Sequence, residues 1–142
     1  MTPPTAEDIT YAGVTAAELL ASPTGRMRCD AGMDQVRSAL ETTGYPMDRV
    51  HLVAGRVEES LPGNAPDRLA LLRLDTDFYA STVHELTHLY PRLSAGGVLI
   101  IDDYGAWQGA RQAVDEYFHD AAVLMHRMDW TGRLVMKPGD AA

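Results

Sequence analysis

The sequence predicts a doubly wound α/β domain closed by an antiparallel edge. Three observations carry this: apolar strand-like runs, amphipathic helical segments between them, and a hairpin pattern at the end. The runs are VHLVAG (50–55), LALLRLD (69–75) and GVLIIDD (97–103). They are continuously apolar rather than alternating, which is the pattern of a parallel sheet covered on both faces.

No strand is predicted in residues 1–30, which read as an irregular N-terminal segment of a single domain spanning 1–142. TAAELLA (15–21) fits a short helix that ends before Pro23. Met33, Val36, Ala39 and Leu40 recur at helical spacing, and Gly44 stops that helix. Between 80 and 92, Val83, Leu86, Leu89 and Tyr90 fall on one stripe that continues to Leu93, and Gly96-Gly97 offers a turn into the next strand. Over 107–118, Ala110, Ala113, Val114, Tyr117 and Phe118 repeat as one helical face. VLMHRM (123–128) and RLVMKP (133–138) flank a turn at Asp129 to Gly132 and form the hairpin. Met125, Met128 and Met136 read as core, and Trp130 as packing.

Composition narrows the function classes. Hydrophobic residues make up 46% and charged residues 23% of 142 positions, as in an ordinary globular domain. A formal net charge of -8 argues against a nucleic-acid backbone or an anionic membrane as partner. With one cysteine, Cys29, no intrachain disulfide forms, which points to a reducing cytoplasm. No apolar run is long enough to span a bilayer, and MTPPTAEDIT has neither the basic start nor the apolar stretch of a secretory signal.

Two strand-like runs end in acids: Asp75 and Asp77 after the second, Asp102 and Asp103 after the third. In open α/β sheets, ligands bind outside the carboxyl ends of the strands. Neighbouring strand ends would gather three or four carboxylates, whose repulsion a cation relieves. An all-oxygen donor set suits Mg²⁺ better than zinc. The plainer alternative is that these are solvated loop acids or helix N-caps.

A second motif competes. His84-Glu85-Leu86-Thr87-His88 fits H-E-x-x-H, in which two histidines share a zinc and the glutamate serves as base of a hydrolase. Helical geometry puts His84 and His88 opposite the apolar stripe, facing solvent. The positions of a third histidine ligand and its glycine hold Ser94 and Pro91. Glu116 is the alternative third ligand.

The run RLDTDFYASTVHELTHLYPRLSAGGVLIIDDYGAWQGARQAVDEYF (73–118) closely resembles the macrocin O-methyltransferase family, and MDQVRSALETTGYPMDRVHLVAGRVEESLP (33–62) extends the likeness upstream. The resemblance covers nearly the whole chain. It implies a Rossmann-like class I methyltransferase sheet that uses S-adenosylmethionine and Mg²⁺ to methylate a hydroxyl of a small molecule, a sugar or polyketide-type natural product. By position it implies Asp75, Asp102 and Asp103 as metal ligands, with Asp75 and Asp102 also in the catalytic role, and Asp77 beside them. It implies Gly55, Arg56 and Val57 at the adenine end of the donor. Tyr104 and Trp107 follow the acid pair and are expected to flank the acceptor, with loop packing as the plainer alternative. The family's Gly-rich loop and ribose-binding acid have no counterpart here, nor do its first two strands, so the sheet is expected to be N-terminally truncated. Arg26, Arg28 and Asp30 offer no obvious general base. The 142-residue chain is therefore expected to bind S-adenosylmethionine weakly or not at all. A homo-oligomer, a complementing N-terminal fragment, or a non-catalytic remnant acting through association are the corresponding expectations for partners.

Overall fold

The computed structural model describes residues 2–22 and 31–139. Cys29, Arg26, Arg28, Asp30 and Pro23 lie outside the described residues. The elements are α1 (Ala16–Ala21), α2 (Met33–Glu41), α3 (Val57–Ser60), β1 (Leu69–Leu74), α4 (Tyr79–Leu89), β2 (Leu93–Ile101), α5 (Gln108–Tyr117), β3 (Met125–Arg127) and β4 (Arg133–Met136). No helix among the described residues is long and apolar enough to cross a membrane.

The four strands form one sheet in the order β1-β2-β4-β3. β1 and β2 run parallel, and the two remaining pairs are antiparallel. The α/β class and the terminal hairpin are thus as the sequence predicts. In the hairpin turn the Asp129 carboxylate accepts from the amides of Thr131 (2.9 Å) and Gly132 (2.6 Å), an Asx-type closure.

The 50–55 run is a correction: it forms no strand. A strand is stable only through its ladder, and within the described residues none lies beside it, so Val53 stays 48% exposed. β2 also differs, starting at Leu93 rather than at 97. Gly96 donates to the Lys137 carbonyl and the Lys137 amide donates to Gly97, each at 2.9 Å. The strand therefore continues past the expected turn, but its register with β1 breaks there: Leu69 pairs with Leu93 and Leu71 with Val98, and Gly96 takes a φ of 73° in the irregularity between them.

Among the described residues, the sheet is covered on one face, not on both as the sequence predicts. Leu72 and Leu74 of β1, Leu99 and Ile101 of β2, and Val135 of β4 alternate onto the face packed by Leu86 of α4 and Val114 of α5. Each such side chain stabilises the fold by about 1.5–3 kcal/mol. The opposite face carries Leu71 and Met136, both more than half exposed. The core expectation fails for Met128 and Met136, and the packing expectation fails for Trp130. Met136 alternates with buried Val135 onto the open face, while Met128 and Trp130 project from the hairpin end. Met125 alone of the three is partly buried against the core. α2 forms where expected, yet none of its residues is buried.

The N-terminal segment packs on the helix starts. α1 begins with a capping box between Thr15 and Glu18. Fully buried Asp8 accepts from the Tyr79 amide at 2.7 Å, which caps α4 from far away in sequence. The Gln108 amide at the start of α5 donates to the Ile9 carbonyl. Gly109 makes this approach possible, since a Cβ there would meet Asp8 Oδ1 and Tyr79. Ala16, Phe78, Trp107 and Ala110 form a second small core at this junction.

Candidate metal and donor site

The parallel pairing of β1 and β2 places the acids. Leu74 registers with Ile101, and the Asp102 amide donates to the Leu74 carbonyl at 3.0 Å, one step past the strand end. Asp75 and Asp102 therefore leave the sheet side by side. Asp75, Asp102 and Asp103 each offer a carboxylate oxygen, and these oxygens lie within 4.8 Å of one another. Among the described residues this is the single set of three or more such side chains with that geometry.

The cluster has an open and a closed half. Asp75 and Asp102 have side chains 47% and 43% exposed, and Arg73 spans them: Nη1 lies 2.8 Å from Asp75 Oδ2 and Nη2 lies 3.0 Å from Asp102 Oδ1. On the closed half, Asp103 Oδ2 accepts from the Asp77 amide at 3.1 Å, and Asp77 Oδ1 accepts from the Trp107 indole at 3.1 Å. Asp77 takes the left-handed region with φ 66°, a conformation Asp tolerates better than most residues. Burial pushes the Asp103 carboxyl well above the ordinary aspartate range, and the Asp77, Asp75 and Asp102 charges add to that. Burial raises Asp77 too, against the lowering pull of the Trp107 hydrogen bond.

The donor set fits a hard divalent cation. It is all oxygen, it is gathered within one coordination sphere, and its open half already attracts the cationic guanidinium. Beside it, a cleft of about 190 Å³ is lined by Gly55, Arg56 and Val57 together with Asp75, Thr76, Asp77 and Thr2. The three residues expected near the donor and the first expected metal ligand thus share one depression. Thr2 is held there by donating to Glu58 Oε1 at 2.7 Å. Sequence reasoning missed both Thr2 and Arg73. For Arg73 a signal existed, because residues two apart on a strand share a face.

The two aromatics take different positions. Trp107 is 6% exposed, edge-on to Phe78 at 5.5 Å, and engaged with Asp77. Tyr104 is partly exposed, with the Arg133 and Arg111 guanidiniums over its ring at 4.7 and 5.4 Å, and it donates to Asp115 at 2.7 Å. Tyr11, Arg111 and Asp115 line a separate open groove of about 470 Å³ along α5.

The H-E-x-x-H residues do not converge as a zinc site. The rings of His84 and His88 lie 4.4 Å apart, tilted by 57°, but they are half-buried rather than solvent-facing, and His84 Nε2 lies 3.3 Å from the Leu61 carbonyl beyond α3. Glu85 turns away into the protein, where it accepts from the Thr76 hydroxyl at 2.8 Å. Glu116 accepts from Tyr79 and Gln112. Among the described residues no third ligand joins the histidine pair.

Comparison with known proteins adds an independent line. The profile of the macrocin-O-methyltransferase (TylF) family matches residues 19–137. The chain is 46% identical over 85 residues to the 8-demethyl-8-(2,3-dimethoxy-alpha-L-rhamnosyl)-tetracenomycin-C 4'-O-methyltransferase of Streptomyces olivaceus, covering 60% of this chain and 32% of the relative. It is 47% identical over 70 residues to the mycinamicin III 3''-O-methyltransferase of Micromonospora griseorubida, covering 49% of this chain and 27% of the relative. The chain thus spans about a third of the length of the curated relatives it matches. Among solved structures, the O-methyltransferase NovP superposes with a TM-score of 0.73 at 33% identity, covering 77% of this chain and 46% of that one. CalS11, a TDP-rhamnose 3'-O-methyltransferase, superposes at 0.60 with 20% identity over 75% of this chain and 53% of that one, a likeness of fold.

Proposed function

The chain belongs to the macrocin O-methyltransferase family, and from that premise we propose that it supplies the metal-binding and acceptor-orienting part of S-adenosylmethionine-dependent methyl transfer to a hydroxyl of a sugar or polyketide-type molecule. The observation that carries this is the convergence of Asp75, Asp102 and Asp103 at adjacent parallel strand ends, next to the cleft of Gly55, Arg56 and Val57. Homology supports the reaction class, since the matched relatives are O-methyltransferases by their names, one of them of a rhamnosyl-bearing tetracenomycin.

Asp75, Asp102 and Asp103 would hold Mg²⁺. Bound there, the ion supplies the positive charge that makes an alkyl hydroxyl a better nucleophile near neutral pH. The rest falls to the chain's own groups. The cleft is smaller than the 300 Å³ or more usual for a whole cofactor, so Gly55, Arg56 and Val57 would receive one end of S-adenosylmethionine. Trp107 fixes Asp77, and through the Asp77 amide it fixes Asp103, so the closed half of the triad keeps its orientation. Tyr104, partly exposed on the loop after the acid pair, would be the aromatic that meets the acceptor.

The test is a calorimetric titration of the chain with Mg²⁺ and Mn²⁺. Saturable binding should appear and should be lost in Asp75→Asn and in Asp102→Asn. An Asp102→Asn titration indistinguishable from wild type sinks the proposal.

A further inference from the structure

Resting on the metal reading above, we infer that Arg73 is an internal counter-cation of the triad that competes with the divalent ion for Asp75 and Asp102. It projects from β1 on the same face as Asp75, two residues on, and its side chain is half exposed. The fork geometry is the telling feature: one guanidinium nitrogen serves each carboxylate, at 2.8 and 3.0 Å, so one cation bridges acids from two different strands. An ion shared by these carboxylates needs the same space between them. Each carboxylate has lone pairs enough for two partners, but a guanidinium and a divalent cation packed within a few ångströms repel one another. Occupation by the ion therefore requires the Arg73 head to swing out, and its exposed position gives it room to do so. Until then the bridge holds Asp75 and Asp102 together against their mutual repulsion. Arg73 is thus a positioning residue that sets the strength of metal binding.

The experiment follows free Mn²⁺ by electron paramagnetic resonance as it is titrated into the full chain and its Arg73→Met and Arg73→Lys variants, with circular dichroism to establish that each is folded. Arg73→Met should bind Mn²⁺ more tightly by roughly two- to thirtyfold, the range that two half-exposed ion pairs are worth together. Arg73→Lys should fall between, because a single ammonium keeps the charge but loses the fork; it also decides the matter if the methionine variant does not fold. Unchanged or weaker binding in the variants overturns this inference and leaves the metal reading standing. Absence of Mn²⁺ binding in wild type and variants alike, or binding untouched by Asp102→Asn, overturns both.

Discussion

Glu85 should make the fold less stable as pH rises through neutrality, and Glu85→Gln should remove that loss. The carboxyl is 6% exposed, with the Thr76 hydroxyl as its hydrogen-bonding partner. Burial, reinforced by the Glu58 and Asp75 charges, pushes it from an ordinary 4.5 up to about 7. The folded chain therefore keeps a proton between those values that the unfolded chain has released. This contribution to stability is fully present below about pH 4.5 and is lost as pH climbs through about 7. At about 1.4 kcal/mol per unit, the loss amounts to at most about 3.5 kcal/mol. Glutamine keeps the acceptor for Thr76 and carries no charge, so the variant should match wild type near pH 5 and exceed it by about 1–3 kcal/mol at pH 8. Asp77 and Asp103 are raised by burial as well and act in the same direction, but they are present in both proteins and cancel in the comparison. Urea unfolding at fixed ionic strength from pH 5 to 8 measures the difference. Parallel stability profiles for the two proteins would refute the reasoning, and would mean that water or a cation reaches Glu85.

Two further outcomes follow from packing. Gly105→Ala should destabilise by about 1–3 kcal/mol, because a Cβ there runs into the Trp130 carbonyl and the Thr131 backbone where the Gly105 amide also bonds the hairpin; a drop in melting temperature, set against a Gly63→Ala control whose Cβ has space, checks it. Trp107→Phe should preserve the contact with Phe78 and lose the Asp77 hydrogen bond, at a cost of about 1–3 kcal/mol in urea unfolding; equal stability would show that Asp77 finds another donor.

The legible part of this protein is the part written in neighbouring residues. Asp75, Asp102 and Asp103 were readable because each acid follows an apolar run, and parallel strands deliver their carboxyl ends to one rim. The hairpin was readable because its turn residues lie between its strands. What escaped depends on partners distant in sequence. No pattern announces that Asp8 caps α4 71 residues away, or that Trp107 is drawn inward by Phe78 and Asp77 rather than left on the rim. The run at 50–55 has the composition of a strand, but pairing is a property of two segments, and composition describes one. Met136 was misassigned because an apolar run does not say which faces of its sheet are covered; buried Val135 beside exposed Met136 does.

The architecture also explains why the acids need so much accommodation. Their proximity is imposed by the β1–β2 ladder, which continues to the Asp102 amide and leaves Asp75 and Asp102 no freedom to separate at the backbone. Repulsion must then be met locally, and the two halves of the cluster meet it by different physics. In the buried half, where charge is costly, Asp103 and Asp77 take hydrogen bonds from an amide and an indole, and their carboxyls are held above the ordinary range. In the exposed half, where water screens charge, Asp75 and Asp102 stay next to a half-exposed cationic side chain. A divalent cation approaching from solvent thus meets the half whose countercharge can leave. The rigid half lies behind it, tied through Trp107 to the junction that Asp8 and Gly109 hold closed. On the proposed metal reading, substitutions at that junction should therefore act on the acid cluster through geometry, and substitutions at Arg73 through charge.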